Sequence, residues 1–150
     1  MTRDGSGLVA QPRASEARNE RPPVVVVVED DLGTLGLLAD VAEDAGWVAR
    51  PCRSLRQMDR ALDDVEPSLI ILDDDLPDGR GGDRAQRLRS DPDMHDLPVV
   101  LCTAAAPSRL AEIGRAVPVV TKPFTVAEIE RVLDAALRRH RLRVARGTAG

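Results

Sequence analysis

Two runs of carboxylates stand directly behind apolar runs in this chain: Glu29-Asp30-Asp31 after five valines, and Asp73-Asp74-Asp75 after Leu-Ile-Ile-Leu. Lys122 and Thr103 likewise follow apolar runs. Carboxylates packed together repel one another, and a hard divalent cation relieves that repulsion. A nucleophilic carboxylate, a cation, a lysine and a hydroxyl are the parts that phosphoryl transfer needs, because it is mainly positioning and charge neutralisation around the transferred group. In that chemistry Asp73 is the attacking group and becomes an acyl phosphate. Mg2+ or Mn2+ is held directly by Asp30 and Asp73, with Glu29 nearby through water and the Asp75 backbone carbonyl completing the protein's share. Lys122 pairs with one phosphoryl oxygen and the Thr103 hydroxyl bonds another. Small Ala104 and Ala105 leave room for donor and water.

The elements needed to position these groups are readable from residue periodicity. Five β-branched residues at 24–28 and the apolar run at 69–72 have the character of strands buried on both faces. Shorter strands are predicted at 47–52, 97–102 and 117–121. Between them the period becomes helical. Leu35, Leu38, Val41, Ala42 and Ala45 form one stripe, and Leu55, Met58, Ala61, Leu62 and Val65 another, opened by a Ser54/Gln57 capping box. Gly79, Gly81 and Gly82 predict a flexible loop, followed by a weak helix over 83–89 and a short one within 104–115. A last helix opens at Thr125 with Glu128 as a second capping box, and its stripe is Val126, Ile129, Leu133, Ala136 and Leu137. Five βα units imply an α/β, doubly wound three-layer sandwich with a parallel sheet and right-handed crossovers. Chemistry in such sheets collects at the carboxyl ends of the strands.

Length and composition set the remaining bounds. At 150 residues the chain suits one domain. Residues 1–23, poor in apolar side chains, are expected to be a disordered leader, 24–139 the folded domain, and 140–150 a basic tail that frays. One Trp, one Phe and no Tyr demand an aliphatic core. A net charge of −4 argues against nucleic acid as a partner. No run is long enough to span a bilayer, so a cytoplasmic protein is expected. Cys52 and Cys102 have neither zinc nor disulfide spacing and are read as reduced, buried thiols.

Five motifs in order, VVVEDD at 26–31, LIILDDDLP at 69–77, Gly81, PVVLCTA at 98–104 and TKPF at 121–124, make the chain resemble the CheY-like receiver domains of two-component response regulators. The resemblance covers residues 24–139. It implies a flavodoxin-like (βα)5 fold with strand order 2-1-3-4-5, Asp73 as phosphoacceptor, Glu29 and Asp30 as the acidic metal pair, Thr103 and Lys122 as sensors of the phosphoryl group, and a cis bond before Pro123. It also implies a sensor histidine kinase or histidine phosphotransfer protein as donor. The family usually carries Tyr or Phe three residues before the lysine as a rotameric switch; Val119 stands there, and the stretch from Thr103 to Lys122 is short.

The expected function is a stand-alone phosphoacceptor that signals through protein contacts, to a downstream protein or in a homodimer, and turns over no substrate. One alternative is a receiver-shaped interaction module that is not phosphorylated. Another is a haloacid-dehalogenase-like phosphohydrolase, since Asp73 and Asp75 form a DxD after a strand; in that family the acidic metal pair follows the nucleophile, whereas Glu29-Asp30 precedes it. Asp74 and Asp78 are read as residues that merely solvate a turn, and His95 and His140 as exposed residues without a role.

Overall fold

The computed structural model describes residues 21–148. Its strands are β1 (Val24–Val28), β2 (Val48–Cys52), β3 (Leu69–Leu72), β4 (Asp75–Leu76), β5 (Gly79–Arg80), β6 (Val99–Thr103) and β7 (Val119–Thr121). Its helices are α1 (Leu32–Asp44), α2 (Leu55–Asp64), α3 (Gly81–Ser90), α4 (Pro107–Ile113) and α5 (Val126–Thr148). The main sheet is parallel with order β2-β1-β3-β6-β7, the flavodoxin-like arrangement; β4 and β5 form a separate antiparallel hairpin.

Alternation along the strands assigns the core. Val26, Val28, Ile70, Leu72, Val99 and Leu101 face a cluster with α2, α3 and Ile113 of α4. Val25, Val27, Leu69, Ile71, Val100 and Cys102 face the opposite cluster with α1, α5 and Trp47. Both faces of the sheet are therefore covered, which is why its strands read as unbroken apolar runs. Leu133 of α5 is fully buried, and its truncation to alanine would cost about 2–5 kcal/mol. Cys52 and Cys102 are free and buried. No helix among the described residues is long and apolar enough to cross a membrane.

Capping fixes where the helices begin. Asp31 caps α1 by accepting from the Thr34 N–H at 2.9 Å. Ser54 caps α2 through the Gln57 N–H at 3.1 Å, while the Gln57 side chain accepts from the N–H of Arg53, one residue before the reciprocal partner of an ideal capping box. Thr125 Oγ1 accepts from the Glu128 N–H at 3.2 Å.

Three features differ from the sequence reading. The glycine loop is replaced by the β4–β5 hairpin, and α3 starts at Gly81 rather than at 83. The tail does not fray after Arg139: α5 continues to Thr148, through Ala, Leu and Arg residues of good helical propensity. His140, half-buried rather than exposed, ties that extension to the sheet through a 2.9 Å hydrogen bond between its Nδ1 and Ser68 Oγ. Residues 1–20 of the expected leader, and 149–150, lie outside the described residues.

Candidate functional site at the carboxyl ends of the strands

The register of the sheet brings the ends of β1, β3, β6 and β7 to one rim. The backbone locks them there: the Asp73 N–H donates to the Val28 carbonyl at 3.0 Å, and the Lys122 N–H to the Thr103 carbonyl at 3.0 Å. β1, β3 and β7 thus present the residues that follow them, and β6 its own last residue Thr103, into the same space. Asp30, Asp73, Asp74, Asp75, Thr103 and Lys122 line a cavity of about 370 Å³, together with residues 104–106, Arg80 and Arg109.

Lys122 is the electrostatic centre of this cavity. Its Nζ donates to Glu29 Oε2 at 2.7 Å and to Asp73 Oδ2 at 3.2 Å. Glu29 is 2 % exposed, Asp73 6 % and Thr103 2 %, so these groups act on one another with little solvent between them. Burial pushes the Glu29 carboxyl up to about 7, against the opposing pull of Lys122 and with Asp73 adding to the rise. Burial would lower the Lys122 ammonium, but its contacts with Glu29 and Asp73 prevail and raise it. The lysine therefore stays charged.

A cation fits beside it. One carboxylate oxygen from each of Glu29, Asp30 and Asp73 lies within 4.8 Å of the others. Opposite ligands of an octahedral Mg2+ are about 4.2 Å apart, a little under that bound, so a small inward shift lets this all-oxygen set share one hard cation with water on the open side. Asp30 is exposed and supplies that open edge. The Asp75 N–H points toward Asp73 Oδ1 at 3.4 Å, and Asp75 stands at the lip of the cavity. The Lys122–Pro123 peptide is cis. Val119 is half-buried, paired with Leu101 in the sheet, and packs against the α2/α3 cluster. The only two aromatic residues, Trp47 and Phe124, both pack on the opposite face.

Asp74 is not a turn residue in solvent. It is fully buried, and Arg109 of α4 grips it through Nε to Oδ2 at 3.0 Å and Nη2 to Oδ1 at 2.9 Å. Oδ1 also accepts from the Gly82 N–H at 2.9 Å, so Asp74 serves as the cap that α3 lacks at its own N-terminus. Burial would raise the Asp74 carboxyl, yet the Arg109 and Gly82 hydrogen bonds outweigh it and hold the carboxyl below its usual range. Arg109 reaches Asp83 at 3.2 Å as well, and its own acidity falls accordingly. Asp78 is a cap too: it accepts from the N–H groups of Leu55 and Arg56, both at 2.9 Å, fastening the hairpin to α2. Sequence reasoning missed Arg80 and Arg109. The available signal was the run of three acids itself, since consecutive extended residues alternate sides and Asp74 must face away from Asp73.

Comparison with known proteins points to one family. A family model described as the response regulator receiver domain matches residues 25–134. The phosphate regulon transcriptional regulatory protein PhoB of Pseudomonas aeruginosa is 31 % identical over 119 residues, covering 77 % of this chain and 52 % of that protein. The probable transcriptional regulatory protein TcrX of Mycobacterium tuberculosis is 34 % identical over 126 residues, covering 81 % and 53 %. The chain thus spans about half the length of the curated relatives it matches. Among solved structures, the receiver domain of a signal transduction histidine kinase from Syntrophus aciditrophicus superposes with a TM-score of 0.71 at 25 % identity, covering 77 % of this chain and 90 % of that one. The chemotaxis response regulator CheY4 of Vibrio cholerae, at 18 % identity, shares the fold with a TM-score of 0.69, covering 77 % and 99 %.

Proposed function

The chain belongs to the response regulator receiver domain family, and on that premise we propose that it accepts a phosphoryl group on Asp73, with Mg2+ or Mn2+ bound, from a histidine kinase or histidine phosphotransfer protein. The observation that carries this reading is the convergence of Glu29, Asp30, Asp73, Thr103 and Lys122, from four separate strand ends, on one rim. An Asp73 carboxylate oxygen forms the new P–O bond as the donor's P–N bond breaks, and the electron pair leaves with the imidazole nitrogen. The bound cation supplies charge neutralisation for the transferred oxygens. Lys122 holds Asp73 and Glu29 until the phosphoryl group arrives and then has a new anionic partner. Thr103, at the end of β6, offers its hydroxyl to a phosphoryl oxygen.

The protein is on this reading a regulatory phosphoacceptor and not an enzyme of substrate turnover; it promotes only its own phosphorylation and hydrolysis. Its output is contact with another protein or with a second copy of itself. A second reading, a receiver-shaped module that acts without phosphorylation, draws on Val119 and on the seven-residue α4. Incubation with Mg2+ and acetyl phosphate, followed by intact mass measurement, separates the two. One added phosphoryl group, lost in Asp73→Asn, is expected; no adduct, under conditions that label a control receiver, would favour the second reading.

A further inference from the structure

We propose that Arg80 is a donor-positioning residue: the cation that meets the phosphoryl oxygens of an incoming phosphodonor at the mouth of the Asp73 cavity. The inference rests on the reading of Asp73 as phosphoacceptor and adds a residue to it. Three cations among the described residues line the cavity, Lys122, Arg109 and Arg80. The first two are committed. Lys122 holds Glu29 and Asp73. Arg109 grips Asp74 with two nitrogens and also meets Asp83 at 3.2 Å and Glu112 at 3.5 Å.

Arg80 differs from both. Its one ion pair among the described residues is a 3.5 Å contact from Nη1 to Asp74 Oδ2, an oxygen that already accepts from Arg109 Nε at 3.0 Å. Because Arg109 already satisfies Asp74, the Arg80 guanidinium is only weakly engaged there, and its side chain is 58 % exposed. The backbone beneath it is fixed all the same. Arg80 pairs with Asp75 in the hairpin, between Gly79 at φ 153° and Gly81, whose Cα approaches the Asp73 carbonyl so closely that a Cβ there would stand 1.9 Å from the oxygen. A guanidinium on a fixed Cα, with a movable side chain and weakly used donors, suits a ligand that comes and goes. Its planar fork matches phosphoryl oxygens, and a cation at the mouth of a cavity lined by Asp30, Asp73, Asp74 and Asp75 offsets their repulsion of an anionic donor. The shared chemistry of the donors is the terminal phosphoryl group, whether it is carried by an acyl oxygen or by an imidazole nitrogen.

The test measures second-order labelling of Asp73 in the full chain with Mg2+, using acetyl phosphate in one arm and phosphoimidazole in the other, for wild type, Arg80→Ala, Arg80→Lys and Arg80→Glu. Arg80→Ala is expected to slow labelling by both donors roughly fivefold at low salt, Arg80→Glu to slow it further, and Arg80→Lys to recover part of the loss, with the differences shrinking as salt rises. Melting temperature of Arg80→Ala is expected to stay at the wild-type value, and labelling is measured at saturating Mg2+ so that a change in cation affinity does not enter the rates. Wild-type rates in Arg80→Ala and Arg80→Glu, or a loss that is independent of salt and not relieved by lysine, would overturn the inference while leaving the phosphoacceptor reading intact. A slowdown with acetyl phosphate alone would also overturn it, since contact would then be with the leaving group. A wild-type chain that takes no label on Asp73 overturns both.

Discussion

Arg109 of α4 and Asp74, the residue after the candidate nucleophile, form a two-point clasp with 3.0 Å and 2.9 Å bonds, and the carboxylate in it is fully buried. It joins the end of β3 to α4, a helix of seven residues with only Ile113 in the core. Arg109→Met should cost about 3–5 kcal/mol, because it strands a buried charge. The Asp74 carboxyl is held low, so its contribution is present above the ordinary carboxylate range and lost as pH falls through the lowered native value. The destabilisation by Arg109→Met, followed by urea melts, should therefore shrink toward acid; an equal cost at about pH 3 and pH 7 would contradict the assignment.

Glu29 sets the opposite pH trend. Its native value of about 7 lies above the ordinary 4.5, so the folded state keeps a proton that the unfolded chain has released. That contribution is whole below 4.5 and disappears as pH rises through 7, on the order of 3 kcal/mol in all. A divalent cation takes the place of that proton. Mg2+ should then raise the melting temperature more at about pH 8 than at about pH 6, and Glu29→Gln should flatten the difference. Equal Mg2+ stabilisation at both pH values in wild type would refute this.

Lys122 and a cation compete for the same two carboxylates, Glu29 and Asp73. Lys122→Ala should accordingly strengthen Mg2+ binding several-fold, a gain on the order of 1 kcal/mol, while it weakens the response of the domain to a phosphoryl group. Titration calorimetry reads the first effect and partner binding by the phosphorylated variant reads the second. Weaker Mg2+ binding in the variant, or partner affinity unchanged by the substitution, would count against this role.

Two glycines should respond in opposite directions to the same substitution. Gly81→Ala forces a Cβ against the Asp73 carbonyl and should cost about 3 kcal/mol or more, whereas Gly36→Ala meets no atom within 4 Å in the interior of α1 and should gain about 0.5–1 kcal/mol. Thermal melts of the two variants check the pair. A Gly81→Ala protein as stable as wild type would mean that the approach of α3 to β3 is looser than described.

The parts of this structure that local pattern encodes were readable in advance. Five consecutive valines admit few elements other than a central strand, and a strand's last residue must project from the sheet, so the meeting of Glu29, Asp30, Asp73, Thr103 and Lys122 followed from knowing where each apolar run ends. The caps at Ser54 and Thr125 were readable in the same way, although the reciprocal half of neither expected capping box is made among the described residues. What escaped were partnerships between residues far apart in the chain. Arg109 reaches Asp74 across 35 positions and Asp78 caps a helix 22 and 23 positions before it. No period or spacing links such pairs, because they exist only once helices and loops have been set against the sheet. The extension of α5 escaped for a related reason: the His140–Ser68 bond that helps hold it spans 72 positions.

The contact between Asp73 and Gly81 has a mechanical side. The Asp73 carbonyl abuts Gly81, the Asp74 carbonyl accepts from the Gly81 N–H at 2.9 Å, and the Asp74 side chain accepts from Gly82. The backbone that carries the candidate nucleophile and the first turn of α3 are thus geared together with no slack between them. A displacement of Asp73 along the strand axis would therefore be expected to press on the first turn of α3, and the Arg109–Asp74 clasp links the same backbone to α4 without an aromatic side chain as intermediary.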